Sequence, residues 1–435
     1  MESKPVKIYS TDNVPRLNYI AGIILEDILG LSWEVISDKR RLGKNYIINY
    51  SSEKLEGAFK IDPHPLLFEQ GITKQAISVT EWKDLPVFFQ TQPDSDIPFD
   101  IFAASFFLIS RYEEYLDFEA DDHGRFRASS SLAFQNGFLG KPVIDHWAKE
   151  LAITLLKKFP TLTFKSNEFR SLLTIDTDQP FAFRGKTLIR SIGGFFRDIT
   201  NNEKNVGERY RIIAGEEKDP FDVFDYIFEN IEKYKTKTLF FFPVGDHSEY
   251  DKNPSWKNDE YRKLIARVAD KYETGLHPSY YSAEKVNLID NEMARLKTIL
   301  QKDIARSRFH YLRFFMPQSY RYLTETDVKE DYSMGYADEP GFRAGISKPF
   351  YFYDLSEDKQ TTLKITPFQL MDATLYQYKN LDPGIAMELV MNLISETRKA
   401  GGLFVSIWHN TSLLDNIDYK GWREVFEFML KNQVP

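Results

Sequence analysis

From Ser171 onward, short apolar strands alternate with amphipathic helices, and this alternation limits the possible folds more than any other feature of the chain. The pattern predicts helices over 259–271, 284–303 and 383–398, and strands over 172–175, 238–242, 273–276, 308–312, 332–334, 363–367 and 403–407. Such alternation indicates parallel strands joined by right-handed crossovers. We therefore expect an α/β fold, either an open sheet or a (β/α) barrel.

The N-terminal part of the chain has a different pattern. It mixes a strand-like segment at 45–49 with helical segments at 101–115 and 144–158, which predicts a smaller α+β module. The segment 160–168 follows a helix that ends in proline, and a new strand pattern begins there. We place the domain boundary in it, giving domains 1–165 and 166–435, which suits a chain of 435 residues.

Composition narrows the chemistry. The net charge of −8 argues against a nucleic-acid partner held mainly through phosphates. The chain has no cysteine, which excludes disulfides, thiolate zinc sites and cysteine nucleophiles, so a metal would need His, Asp, Glu or water as ligands. The N-terminus lacks a secretory apolar region, and no segment reaches the roughly 18 apolar residues of a membrane helix. We expect a cytoplasmic protein without a membrane span.

Ionisable side chains stand at or beside five of the predicted strands, namely Asp176 and Asp178, His277, Arg308 and His310, Asp331, and His409. In parallel sheets the catalytic groups gather at the carboxyl ends of the strands. Each residue also has a structural alternative, because aspartates often cap turns and histidines often bond to carbonyl groups in the core. Taken together, aspartate and histidine at one edge suit a divalent metal such as zinc.

These segments resemble, in order, the five motifs of the polysaccharide deacetylases of carbohydrate esterase family four. TIDTD at 174–178 resembles T-F-D-D-G with one residue inserted between the acids, and HPSYY at 277–281 resembles H-[ST]-x-x-H. RFHY at 308–311 resembles R-x-P-[YW], DYSMGY at 331–336 resembles the fourth motif, and SIWH at 406–409 resembles L-x-L-H. The resemblance covers residues 171 to about 412. It implies a distorted (β/α) barrel that removes acetyl groups from N- or O-acetylated sugars with a divalent metal, zinc or another transition metal.

The resemblance also implies roles for single residues. Asp176 corresponds to the catalytic base and His409 to the catalytic acid, while Asp178 and His277 correspond to metal ligands. Arg308 would orient Asp176 through a charge-assisted hydrogen bond and keep it ionised.

The second histidine of the family's metal triad is absent, because Tyr281 stands in its place. A neutral phenol is a poor ligand, so the third ligand would be His310, His247 or water. We assign His310, because two residues that are two apart on one strand point to the same face and Arg308 is expected to face the site. Aromatic side chains near the motifs, Tyr281, Tyr311 and Trp408, are predicted to contact an acetylated carbohydrate substrate.

Three functions remain open from the sequence. The first is a metal-dependent sugar deacetylase. The second is a catalytically inactive barrel that binds a glycan or a protein, which the missing histidine favours. The third is a glycoside hydrolase with paired carboxylates, ranked last because histidines accompany the acids.

Overall fold

The structure is a computed structural model that describes residues 4–43, 45–184, 211–212 and 214–434. The chain forms two compact units. The first comprises Met1–Phe169, Gly341–Pro367 and Ser395–Leu403, and the second comprises Arg170–Pro340, Phe368–Ile394 and Phe404–Pro435. The first unit thus includes two later segments, which a single boundary in the sequence does not separate.

The first unit contains a parallel sheet of four short strands. The strands are β1 (Val6–Tyr9), β2 (Trp33–Ile36), β3 (Tyr46–Asn49) and β4 (Phe59–Lys60), in the order β2-β1-β3-β4. Helix α1 (Pro15–Ala21) continues as a π-helix over Gly22–Ile28 and connects β1 to β2. Pro15 suits the first helical position because its missing N–H needs no partner there.

Further helices and a hairpin complete the first part of the chain: β5 (Thr80–Trp82), β6 (Leu85–Val87), α2 (Ile101–Ile109), α3 (Leu132–Gln135) and α4 (Val143–Lys158). Asp100 caps α2 by accepting hydrogen bonds from the amides of Phe102 and Ala103. The sequence predicted one helix over 101–115. Instead α2 ends at Ile109, because Arg111 has a left-handed backbone conformation with a φ of 54° and a 3₁₀ turn comes after it.

Among the described residues of the second unit, seven strands lie side by side. They are β7 (Arg170–Asp176), β8 (Thr238–Phe242), β9 (Glu273–Leu276), β10 (Arg306–Ser307), β11 (Glu330–Asp331), β14 (Leu370–Met371) and β15 (Leu403–His409). The order of these seven strands is β11-β10-β9-β8-β7-β15-β14. Two other strands, β12 (Phe350–Asp354) and β13 (Lys359–Ile365), form an antiparallel hairpin in the first unit. Pairing is parallel from β7 through β11 and between β14 and β15.

Helices lie between these strands: α5 (Phe224–Tyr234), α6 (Asp259–Ala269), α7 (Val286–Leu300), α8 (Gln318–Thr324) and α9 (Pro383–Ala400). A further helix, α10 (Trp422–Asn432), follows β15. Helix α6 is representative, since it buries Tyr261, Leu264, Ile265 and Val268 at helical spacing, and Asn258 caps it. The α/β class expected from the sequence is confirmed, and closure of the strands into a barrel stays a prediction. No helix among the described residues is both long and apolar enough to cross a membrane.

The strand predicted over 308–312 is wrong. Strand β10 ends at Ser307, and a 3₁₀ turn over His310–Leu312 comes after it. Tyr311 and Leu312 have positive φ angles of 59° and 52°, which no strand accommodates. Likewise β11 lies at Glu330–Asp331 instead of 332–334, and the strand expected at 363–367 is β13, which pairs antiparallel with β12.

Candidate metal and catalytic site

The parallel strands of the second unit end at one edge of the sheet, and polar side chains gather there. Asp176 is the last residue of β7 and His409 the last of β15, while His277 directly follows β9 and Arg308 directly follows β10. Because parallel neighbours have their carboxyl ends on the same edge, these side chains are brought together.

Asp178 lies at the centre of three histidines. Its Oδ1 atom is 3.2 Å from Nε2 of His277, and its Oδ2 atom is 3.3 Å from Nε2 of His310 and 3.7 Å from Nε2 of His409. Asp178, His277 and His310 each offer one ligand atom, and these three atoms lie within 4.8 Å of one another. A single divalent cation can contact all three.

The other ring nitrogen of His310 and of His409 is held by a buried carboxylate. Nδ1 of His310 lies 2.8 Å from Oδ1 of Asp251, and Nδ1 of His409 lies 2.7 Å from Oδ1 of Asp372. Nδ1 of His277 contacts the carbonyl oxygen of Arg308 instead. Each acceptor fixes a proton on Nδ1, so that Nε2 faces Asp178, an orientation typical of histidines that bind metals.

Asp178 and the two nearest histidines fit a cation. Oδ1 of Asp178 is buried and receives no hydrogen bond within the described residues, although Nε2 of His277 is close. With a proton on Nδ1 alone, which the carbonyl oxygen of Arg308 accepts, His277 presents the lone pair of Nε2 to that oxygen. Two lone pairs at 3.2 Å repel each other unless positive charge lies between them.

Opposite charges inside the site lower the pKa of Asp178 and raise the pKa values of His310 and His409. Although burial opposes it, the charges of His310 and His409 hold the pKa of Asp178 well below its ordinary range. Burial alone would lower the pKa of His310, but Asp178 and Asp251 raise it to about 10. In the same way Asp372 and Asp178 overcome burial and raise the pKa of His409 to about 10. Without a cation, protons on these two histidines balance the carboxylates.

Asp176 is oriented by Arg308. Nη1 of Arg308 lies 2.9 Å from Oδ1 of Asp176 and 2.7 Å from Oγ1 of Thr174, and its Nε donates to the carbonyl oxygen of Tyr332 at 3.1 Å. The guanidinium is fully buried. The second oxygen of Asp176 lies 3.8 Å from Nε2 of His277 and so faces the cluster.

The predicted aromatic residues divide into two groups. Tyr281 and Tyr311 are exposed by 37% and 36%, and the ring of Tyr311 lies 4.7 Å from that of His310. The rings of Tyr250 and of the buried Tyr280 contact that of Tyr311 edge-on. The prediction that Trp408 contacts the substrate is wrong. Its side chain is fully buried, packs against Phe426 and donates to the sulfur of Met429, so no face is open to a ligand.

Two other predicted residues lie outside the cluster. His247 is exposed and is not among the described residues that could share a metal. Asp331 is buried and accepts hydrogen bonds from Ser307 and Ser333.

Asp251 and Asp372 are functional candidates that the sequence analysis missed. Asp372 directly follows the two-residue strand β14, so it obeys the same strand-end rule as Asp176, but β14 is too short to recognise from periodicity. Asp251 lies in a polar loop whose sequence gives no local signal.

Comparisons with known proteins give one family match and several similar structures. Residues 6–160 match a family described as "Family of unknown function (DUF7033)". Among curated proteins, none matches the sequence. A protein from Mycobacterium smegmatis described as a polysaccharide deacetylase is similar in structure, with 12% identity and a TM-score of 0.40 over 62% of this chain and 85% of that one.

Two Bacillus structures are also similar. A polysaccharide deacetylase from Bacillus cereus has 12% identity and a TM-score of 0.32 over 61% of this chain and 87% of that one. A pseudoenzyme of the CE4 family from Bacillus anthracis has 9% identity and a TM-score of 0.31 over 62% of each chain. These likenesses say nothing of function, which depends on the side chains at the sheet edge.

Proposed function

We propose that the second unit is a metal-dependent deacetylase that hydrolyses the amide or ester of an acetylated sugar. The observation that carries the proposal is the position of Asp178 between His277 and His310, beside an oriented Asp176 and a carboxylate-held His409. Hydrolysis of an acetyl group needs a base, an acid and positive charge near the carbonyl oxygen, and these residues can supply all three.

Asp178, His277 and His310 would hold the metal. When bound, a divalent cation polarises the acetyl carbonyl and lowers the pKa of a coordinated water towards about 7. Zinc or another transition metal suits the two imidazoles and one carboxylate.

The chain's own residues would move the protons. Asp176 accepts a proton from the attacking water at Oδ2, because Arg308 occupies Oδ1. His409 donates a proton from Nε2 to the sugar nitrogen or oxygen that leaves, while Asp372 keeps the ring oriented and charged.

The tyrosines beside the site would bind the sugar. Tyr281 and Tyr311 are each more than a third exposed, and the ring of Tyr311 lies beside that of His310. Sugar rings stack on aromatic faces through their C–H groups. The positive φ of Tyr311 holds its ring at this position at some cost in backbone energy.

The test is release of acetate from a panel of N- and O-acetylated sugars by the zinc-loaded protein. Asp176→Asn is the inactive comparison, and Asp246→Asn, an exposed change in a neighbouring loop, is the matched control. We expect acetate from the unmodified protein and from the control only. Equal release by all three proteins would contradict the proposal.

A second candidate is a catalytically inactive unit that binds an acetylated glycan. Tyr281 favours it, because this exposed side chain stands where the related motif has a metal ligand, and its hydroxyl donates to Glu249 at 3.0 Å. Glycan binding without acetate release, at full metal occupancy, would support this second function.

A further inference from the structure

Because His310 does not lie in a strand, the direction of its ring must be set by contacts other than strand pairing. It lies in the 3₁₀ turn after β10, with its backbone amide tied to the carbonyl oxygen of Pro278 at 3.0 Å. The side-chain contact that orients it comes from Asp251, 59 residues away in sequence.

Asp251 is itself tightly constrained. It is 1% exposed, and its Oδ1 atom accepts from Nδ1 of His310 at 2.8 Å and from the amide of Tyr280 at 3.0 Å. Its Oδ2 atom accepts from Oγ of Ser248 at 2.7 Å. Three donors from separate parts of the chain therefore hold both oxygens of this carboxylate in place.

The loop that carries Asp251 is also anchored. Asn253 donates to the carbonyl oxygen of Gly245 at 3.1 Å, which joins the two ends of the loop. Oγ of Ser248 accepts from the amides of Tyr250 and Asp251. The loop 245–253 is thus a rigid support for one carboxylate, and that carboxylate faces one histidine.

We infer that Asp251 is the positioning residue that makes His310 a metal ligand. Through this contact the loop 245–253 compensates for the histidine that is absent at position 281. The inference rests on the proposed metal site. Asp251 fixes the proton of His310 on Nδ1, directs Nε2 to the position beside Asp178 and increases the electron density of the ring. A carboxylate in this supporting role typically contributes a factor of about 10 to 100 in metal affinity.

The experiment measures zinc affinity of the full chain by competition with a chelator. Asp251→Asn keeps an oxygen for Nδ1 and removes the charge, and we expect zinc to bind about 10- to 100-fold more weakly with an unchanged circular dichroism spectrum. Asp246→Asn is the matched control, because Asp246 is in the same loop, 82% exposed, and paired with Arg295. It should change zinc affinity less than twofold.

A double-mutant cycle separates positioning from general support of the fold. In a His310→Ala background, Asp251→Asn should weaken zinc binding no further than about twofold, because its effect passes through His310. A purely structural Asp251 would instead lower the thermal midpoint equally in both backgrounds and leave zinc affinity unchanged in each, which would overturn the inference.

A measurement on the unmodified protein covers the case in which Asp251→Asn does not fold. Nitrogen-15 NMR of the zinc-loaded chain should find His310 with its proton on Nδ1 and zinc on Nε2. Zinc on Nδ1, or a His310 ring free of zinc, would overturn the inference. If the unmodified protein binds no zinc at all, the proposed metal site fails instead, so the two failures are distinguishable.

Discussion

Nε2 of His310 lies 3.3 Å from Oδ2 of Asp178, although the strand before His310 ends three residues earlier. The turn after β10 carries the imidazole to the aspartate, and Asp251 meets the ring from its other side. The proposed metal ligand His310 thus lies on a turn, and a distant loop supplies the carboxylate that contacts its ring.

Asp176→Asn should abolish hydrolysis and leave zinc binding intact. Asparagine keeps the shape but cannot accept the proton of the attacking water, so we expect turnover to fall by about 100-fold or more. Acetate release and zinc content are measured on the same preparation. Unchanged turnover at full zinc occupancy would remove Asp176 from the reaction.

Zinc binding should release about one proton near pH 7. The pKa of His310 is raised to about 10 in the metal-free protein, so its ring is charged at neutral pH and must lose a proton from Nε2 before it can bind zinc. Apparent affinity should therefore increase as the pH rises towards 10. Calorimetry in buffers of different ionisation enthalpy measures the release, and a binding enthalpy independent of the buffer would contradict this prediction.

Asp372→Asn should shift the alkaline limb of the pH profile of kcat/KM to lower pH. Asp372 raises the pKa of His409 to about 10 against the effect of burial, so without its charge that pKa falls and His409 loses its proton at lower pH. We also expect kcat to drop by about 10²- to 10⁴-fold, the typical contribution of a general acid. An unmoved alkaline limb would show that His409 is not the acid.

Glu292 should make the folded state less stable as the pH rises. Burial raises its pKa to about 7, against hydrogen bonds from Ser279 that lower it. Because the folded-state pKa lies above the ordinary value of 4.5, the favourable contribution is complete below pH 4.5 and is lost as the pH passes 7. The loss is on the order of 3 kcal/mol, from about 1.4 kcal/mol per pH unit.

Glu292→Gln should remove most of this dependence, since glutamine does not ionise. Urea unfolding midpoints at pH 5 and pH 8 measure it, with Glu260→Gln, an exposed change on α6, as the control. A Glu292→Gln protein whose midpoint falls between these pH values as much as that of the control would refute the assignment.

The sequence predicted the bounds of two strands of the second unit. β8 and β9 have the expected bounds, and Asp176, His277 and His409 stand at the strand ends where the rule for parallel sheets places polar groups. These features are local, since each depends on a run of apolar residues and on the polar residue at its carboxyl end.

Features that depend on tertiary structure could not be predicted in the same way. RFHYL at 308–312 alternates like a strand, but β10 ends at Ser307, and Tyr311 and Leu312 have left-handed conformations. Asp251 becomes recognisable only when the loop meets His310, and Trp408 is next to His409 in the sequence but faces the core. Alternation along a strand sends neighbours to opposite faces, which the motif alone does not reveal.

The most direct test of the metal site is zinc stoichiometry by equilibrium dialysis of the unmodified chain, Asp178→Asn and His310→Ala, each checked for folding by circular dichroism. We predict one tightly bound zinc per unmodified chain and a loss of binding of at least about 100-fold in Asp178→Asn, because the amide has no charge to balance the cation. His310→Ala should bind more weakly than the unmodified chain. Zinc bound equally well by all three folded proteins, or by none of them, would contradict the account.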